Sequence, residues 1–130
     1  MIYLDSSALV TMIVERRPAN ALRLFLTDHP KTPTGTSTIG LIETVRNCDR
    51  LGDFPNLMTR LMRDHTELKV TEYVRNAAAN VPGLVRTLDA VHIASAEQLG
   101  ADLTALVTYD KRMAEAARGR GLPVAMPGME

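Results

Sequence analysis

The sequence is short of everything that would place it in an extracellular, membrane or fibrous class. It holds one cysteine, Cys48, so no internal disulfide can form and nothing points to an oxidising compartment. It has no tryptophan and few aromatics, 4% of 130 residues. No apolar run approaches the roughly 20 residues needed to span a bilayer. The N-terminus lacks the basic start, apolar stretch and small-residue cleavage site of a secretion signal, so the expected setting is cytoplasmic, with no membrane partner. Charge of either sign is not in excess: Lys+Arg and Asp+Glu both total 15, for a formal net charge of zero. A protein that finds nucleic acid by its overall charge is therefore excluded.

What is present is the composition of a globular domain, 45% hydrophobic and 23% charged, long enough for one core. A single domain over residues 1–130 is expected. Twelve of the 15 basic residues are arginine, the side chain suited to bidentate phosphate contacts. Four acids drawn into one cleft would leave the remaining surface basic.

Short apolar runs alternate with amphipathic stretches. Residues 2–4, 34–38, 68–71, 105–109 and 123–125 read as strands. Helices are expected over 8–15, with Ser6 and Ser7 as N-cap hydroxyls, from Pro18 onward, and over 38–51, 55–65, 72–80, 87–99 and 111–118. In the third of these, Leu41, Val45 and Cys48 form the apolar stripe, with Glu43, Arg46, Asn47 and Arg50 opposite. In the fourth, Leu57, Leu61 and Met62 are expected to face inward. The segment 87–99 is the most apolar helix, Leu88 included, and is expected to be central. This alternation predicts an α/β fold, a three-layer α/β/α sandwich with a mainly parallel sheet of about five strands.

One device occurs twice. Ile2-Tyr3-Leu4-Asp5 and Leu106-Val107-Thr108-Tyr109-Asp110 each run an apolar strand into an aspartate and then a helix. Each puts a carboxylate on the carboxyl edge of the sheet, where open parallel sheets bind ligands. Asp89, between Leu88 and Ala90, is an acid in an apolar helix and must be solvated, hydrogen-bonded or bound to a metal. Each of these acids can also be read as a helix cap, and Glu43 as a solvated residue pairing with Arg46 or Asn47. His92 reads as a packing or orienting histidine rather than a ligand. Four converging carboxylates without His or Cys partners would select a hard ion, Mg²⁺ or Mn²⁺, and such a site suits phosphodiester hydrolysis.

Taken together these segments resemble the PIN domain, specifically the VapC-type toxin ribonucleases of toxin–antitoxin (VapBC) pairs. The motifs that carry the likeness are the opening Met1-Ile2-Tyr3-Leu4-Asp5-Ser6-Ser7-Ala8, then Ser37-Thr38-Ile39-Gly40-Leu41-Ile42-Glu43, and Arg86-Thr87-Leu88-Asp89-Ala90-Val91-His92. They are followed by Val107-Thr108-Tyr109-Asp110-Lys111-Arg112 and Gly121-Leu122-Pro123-Val124. The resemblance implies Asp5, Glu43, Asp89 and Asp110 as catalytic and metal-cluster residues, with Ser6 and Thr108 as hydroxyl helpers. Arg46 and Arg112 are candidate RNA contacts. It further implies a PIN-like fold, a homodimer, a VapB-type antitoxin that pushes a basic side chain towards the acids, and a tRNA or rRNA substrate. Two rivals stand beside it. One is a non-catalytic PIN-like module that binds RNA or protein. The other is a receiver-like phosphoacceptor, which would want an acidic pair at the end of strand one where this chain has Leu4, Asp5 and Ser6.

Overall fold

The computed structural model describes residues 1–83 and 85–130. The alternation resolves into five strands, β1 (Ile2–Leu4), β2 (Thr34–Ser37), β3 (Thr66–Leu68), β4 (Ala105–Val107) and β5 (Val124–Ala125). They form one sheet in the order β3-β2-β1-β4-β5, and every pairing is parallel. Between them, among the described residues, run α1 (Ser6–Val14), α2 (Ala19–Thr27), α3 (Thr38–Asp49), α4 (Leu57–Asp64), α5 (Glu72–Ala79), α6 (Thr87–Glu97) and α7 (Lys111–Gly119).

The period-two alternation of a strand sends successive side chains to opposite faces. Ile2 and Leu4 bury against Ala8, Leu9, Leu22, Leu41 and Leu61, from α1 to α4. Tyr3 points the other way, into a core with Ile93, Ala96, Leu106, Met113 and Ala117 from α6, β4 and α7. The sheet is therefore covered on both faces, as an all-parallel sheet requires.

The chain leaves β1 towards β2 and β3 on one side, and later returns to add β4 and β5 on the other. The crevice beyond the carboxyl ends of β1 and β4 is thus a topological switch point, the place where such sheets take ligands. Register makes the strands true neighbours: Ile2, Tyr3 and Leu4 stand opposite Ala105, Leu106 and Val107.

Four local expectations change. Helix α1 starts at Ser6 and its cap is Asp5, whose carboxylate accepts from the Ala8 amide. Ser7 is not a cap, because its hydroxyl is engaged with Asp5 and the Tyr109 amide. Strand β3 lies at Thr66–Leu68 rather than at 68–71. An edge strand pairs through its backbone on one side only, so its polar, half-exposed residues carry no apolar run to read. Met62 and Leu88 face outward, 53% and 44% exposed, because the buried arcs of α4 and α6 are filled by Leu57 and Leu61 and by Ala90, Ile93, Ala94 and Ala96.

Candidate active site

Two of the acids are delivered by the strand-then-helix device. Asp5 follows β1 and caps α1; Asp110 follows β4 by way of Thr108 and Tyr109, and caps α7 through its Oδ1, which accepts from the amides of Arg112 and Met113. The capping and the functional readings of these residues are not exclusive. An N-cap carboxylate is fixed by backbone amides, and its remaining oxygen capacity is aimed over the helix start. Glu43 comes from the second turn of α3 and Asp89 from the first turn of α6.

All four line one cleft of about 500 Å³ at the carboxyl edge of the sheet, together with Ser6, Ser7, Arg16, Asn47 and Arg86. The four therefore converge, as expected. Asp5 lies at the bottom, buried. Its Oδ1 accepts from the Ser7 hydroxyl at 2.6 Å and the Ala8 amide at 2.9 Å, and its Oδ2 accepts from Thr108 at 2.6 Å. Burial pushes the Asp5 carboxyl above its ordinary range, and these hydrogen bonds pull it part of the way back.

Glu43 accepts at Oε1 from His92 Nε2 at 2.6 Å. His92 is buried, and its other ring nitrogen, Nδ1, meets the Tyr3 hydroxyl at 2.7 Å. His92 thus joins Tyr3 to Glu43. Asp89 and Asp110 share a third partner, Arg86: its Nε lies 3.2 Å from Asp89 Oδ2 and its Nη2 3.1 Å from Asp110 Oδ2.

Sequence reasoning placed the four acids and missed two of their partners, Ser7 and Arg86, and one residue of the cleft lining, Arg16. Ser7 was assigned to a helix end, and its proximity to Asp5 is two residues, so it was within reach. Arg86 precedes Asp89 by three positions, the spacing of neighbouring side chains on a helix, and that was the available signal. Arg16 gave none. The other nominated helpers divide. Ser6 lines the cleft; Thr108 is buried and grips Asp5 rather than facing the cleft. Arg46 lies in an adjoining groove with Ile39, Ile42 and Arg50, which shares Glu43, Asn47 and Leu88 with the cleft. Arg112 lines a separate hollow with Pro82, Gly83, Val85 and Glu115.

The donor set suits a hard cation. It consists of carboxylate oxygens with no thiolate and no histidine nitrogen facing the cleft. Among the described residues no three His, Cys, Asp or Glu side chains stand close enough to make a ready-formed cage. Asp89 and Asp110 instead both pair with the Arg86 guanidinium, a cation standing where two carboxylates would otherwise repel. The residues fit a divalent ion, provided that it takes the place of that guanidinium.

A three-layer parallel α/β fold with carboxylates at this switch point defines a class, and the PIN domain family model matches residues 2–119. The chain belongs to the PIN domain family. Among curated proteins it is similar to Ribonuclease VapC46 of Mycobacterium tuberculosis, 39% identical over 129 residues covering 97% of both chains. Ribonuclease VapC47 of the same species is 37% identical over 134 residues covering 98% of both. Among solved structures, the chain superposes on M. tuberculosis VapC20, described as a sarcin-ricin loop cleaving toxin, with a TM-score of 0.74. The identity is 15%, and 98% of this chain and 100% of that chain are covered. FitAcB from Neisseria gonorrhoeae matches with a TM-score of 0.68 at 18% identity over 100% of both chains. At those identities the structural likeness speaks for the fold alone.

Proposed function

We propose that this chain is a metal-dependent endoribonuclease, the toxin of a VapBC toxin–antitoxin pair. The observation that carries the reading is the convergence of Asp5, Glu43, Asp89 and Asp110 on one cleft at the switch point of the sheet. The ribonuclease names of relatives aligned over nearly the whole chain support it, as does the divalent-metal dependence general to PIN-domain ribonucleases.

Asp5, Glu43, Asp89 and Asp110 would hold the ion, Mg²⁺ or alternatively Mn²⁺, some through water. Bound there, it would supply Lewis-acid stabilisation to phosphodiester hydrolysis, in which the water oxygen forms a P–O bond as the ester P–O bond breaks and the water's proton passes to the leaving oxygen. The chain's own groups prepare that event. Thr108 and Ser7 fix Asp5 in a single orientation, and His92 does the same for Glu43. Ser6 is a further hydroxyl at the rim. Arg16 and Arg86 line the cleft and are placed to meet a backbone phosphate, while Arg46 and Arg112 extend the basic surface beyond it.

The substrate class is structured RNA, tRNA or rRNA. The same cleft is a receptor for a basic side chain of a VapB-type antitoxin, since carboxylates that accept Arg86 can accept another arginine. We further infer a single domain over residues 1–130 that works as a homodimer in the cytoplasm. No helix among the described residues is long and apolar enough to cross a membrane.

The test is cleavage of purified tRNA and ribosomal RNA by the wild type and Asp5→Asn, each in Mg²⁺, in Mn²⁺ and in EDTA. Cleavage by the wild type in a divalent ion alone is expected. Equal cleavage in EDTA, or by Asp5→Asn, removes the metal-dependent reading.

A further inference from the structure

A tyrosine in an otherwise aliphatic strand and a histidine on the buried face of α6 meet in the middle of the protein. Tyr3 and His92 are both buried, edge to face, with ring centroids 5.8 Å apart and planes at 75°. The Ser37 amide donates to the Tyr3 oxygen at 3.2 Å, the Tyr3 hydroxyl meets His92 Nδ1 at 2.7 Å, and His92 Nε2 meets Glu43 Oε1 at 2.6 Å.

Proton counting gives this chain a direction. A phenol has one hydrogen to give. With its oxygen receiving the Ser37 amide, that hydrogen is available to Nδ1. A neutral imidazole that accepts at Nδ1 carries its own hydrogen on Nε2. Only an N–H can face a carboxylate at 2.6 Å, because a ring lone pair there would repel it. A donor sense from amide to phenol to imidazole to carboxylate gives every atom of this chain a partner.

The same chain links the elements that carry the acids. Tyr3 lies on β1, two residues before Asp5; His92 lies on α6, three residues after Asp89. Ser37 is the N-cap of α3, whose second turn presents Glu43. The room for the imidazole is made by Gly40 on α3: a Cβ at that position would stand 3.2 Å from His92 Cε1 and 2.1 Å from Thr36 Oγ1.

We propose that Tyr3 and His92 are positioning residues, a buried relay that fixes His92 with its proton on Nε2 and so holds the Glu43 carboxyl group in register with Asp5 and Asp89. The inference rests on the metal-dependent reading above. Packing alone would need the ring shapes but not the proton on Nε2, and the two roles separate on that point.

The experiment has two arms. In the first, long-range ¹H–¹⁵N correlation spectra of the metal-free protein, which has only three histidines, report the state of each imidazole. His92 is expected as the neutral Nε2–H tautomer in the wild type, with that preference lost in the near-isosteric Tyr3→Phe. In the second, Mn²⁺ binding is measured by calorimetry on variants whose circular dichroism matches the wild type. His92→Phe keeps a ring and loses the donor, and its affinity is expected to fall roughly 10- to 100-fold, as for other outer partners of metal ligands. His92→Gln returns an N–H and is expected to recover most of it.

A Nδ1–H tautomer or an imidazolium at neutral pH overturns the relay, and so does a Tyr3→Phe spectrum with the His92 signals unchanged. Wild-type Mn²⁺ affinity in His92→Phe overturns the positioning role while leaving the metal site intact. If the wild type itself binds no Mn²⁺, the metal-dependent function falls, and the positioning role falls with it.

Discussion

Thr108 donates its hydroxyl to Asp5 Oδ2 at 2.6 Å and accepts from the Asp110 amide at 3.0 Å, so one buried side chain joins the two strand-end acids. The two residues it bridges are 105 positions apart and are brought together by the parallel pairing of β1 with β4. Thr108→Val keeps the shape and removes both bonds. It leaves a buried carboxylate short of a donor, which costs about 1–3 kcal/mol. Urea denaturation of the metal-free protein should show that loss, and Thr108→Ser should recover part of it. A Thr108→Val protein as stable as the wild type would mean that Asp5 finds its donor elsewhere.

At Gly40, α3 comes close to both β2 and α6. A methyl group there meets Thr36 Oγ1 at 2.1 Å, well inside contact distance, with Thr36 Cβ at 3.3 Å and His92 Cε1 at 3.2 Å. Gly40→Ala is expected to cost about 1–3 kcal/mol by overpacking. A crystal structure of the variant should show α3 moved away from His92, with the bond from His92 to Glu43 lengthened.

His65 closes α4 and shares a hydrogen bond with the Thr34 hydroxyl at 2.7 Å, where α4 hands over to β3. Burial lowers its pKa below the ordinary value of 6.5, because the charged form is disfavoured there. The unfolded chain therefore takes up a proton at a higher pH than the folded protein. The neutral state's contribution is present above about pH 6.5 and is lost as the pH falls through the lower, folded value. Stability in urea should decline on going from pH 7.5 to pH 5, and His65→Gln should flatten part of that decline. An unchanged slope in the variant would assign the decline to other groups.

Arg86 bridges Asp89 and Asp110 with a side chain that is 75% exposed. An exposed ion pair is weak, so the guanidinium should yield to a divalent ion at modest cost. Arg86→Met should tighten Mn²⁺ binding by up to about fivefold, the scale of one exposed pair. Calorimetry checks this directly. Weaker binding in Arg86→Met would show that the arginine shapes the site rather than competing for it.

Much of this was legible in the sequence because the cleft is built by repetition. Ile2 to Asp5 and Leu106 to Asp110 announce themselves as strands ending in an acid, and parallel pairing does the rest. Glu43 carried no such mark, since an acid on a polar helix face looks like any solvated residue until His92 is found against it. That contact joins positions 49 apart and depends on how α3 and α6 pack, which periodicity does not encode. Strand β3 was read two to three residues late because Thr66 to Leu68 is half-exposed, and Val70 looked a better strand residue than it is, being 42% exposed. Met62 and Leu88 were read inward because apolar residues are, by default; nothing local reveals which arc of a helix the sheet will cover. The spacing of Arg86 to Asp89 is legible, but the bridge from Arg86 to Asp110 follows only from the meeting of α6 with the end of β4.

The central claim is that Asp5, Glu43, Asp89 and Asp110 together seat one or more divalent ions in the cleft they line. Anomalous diffraction from crystals equilibrated with Mn²⁺ tests it without reference to any substrate. The account predicts a peak inside that cleft, with at least one of the four carboxylates at a coordination distance of about 2.0–2.6 Å and Arg86 turned away. A peak at another surface, or an empty cleft with Arg86 still on Asp89 and Asp110 at saturating Mn²⁺, would contradict it.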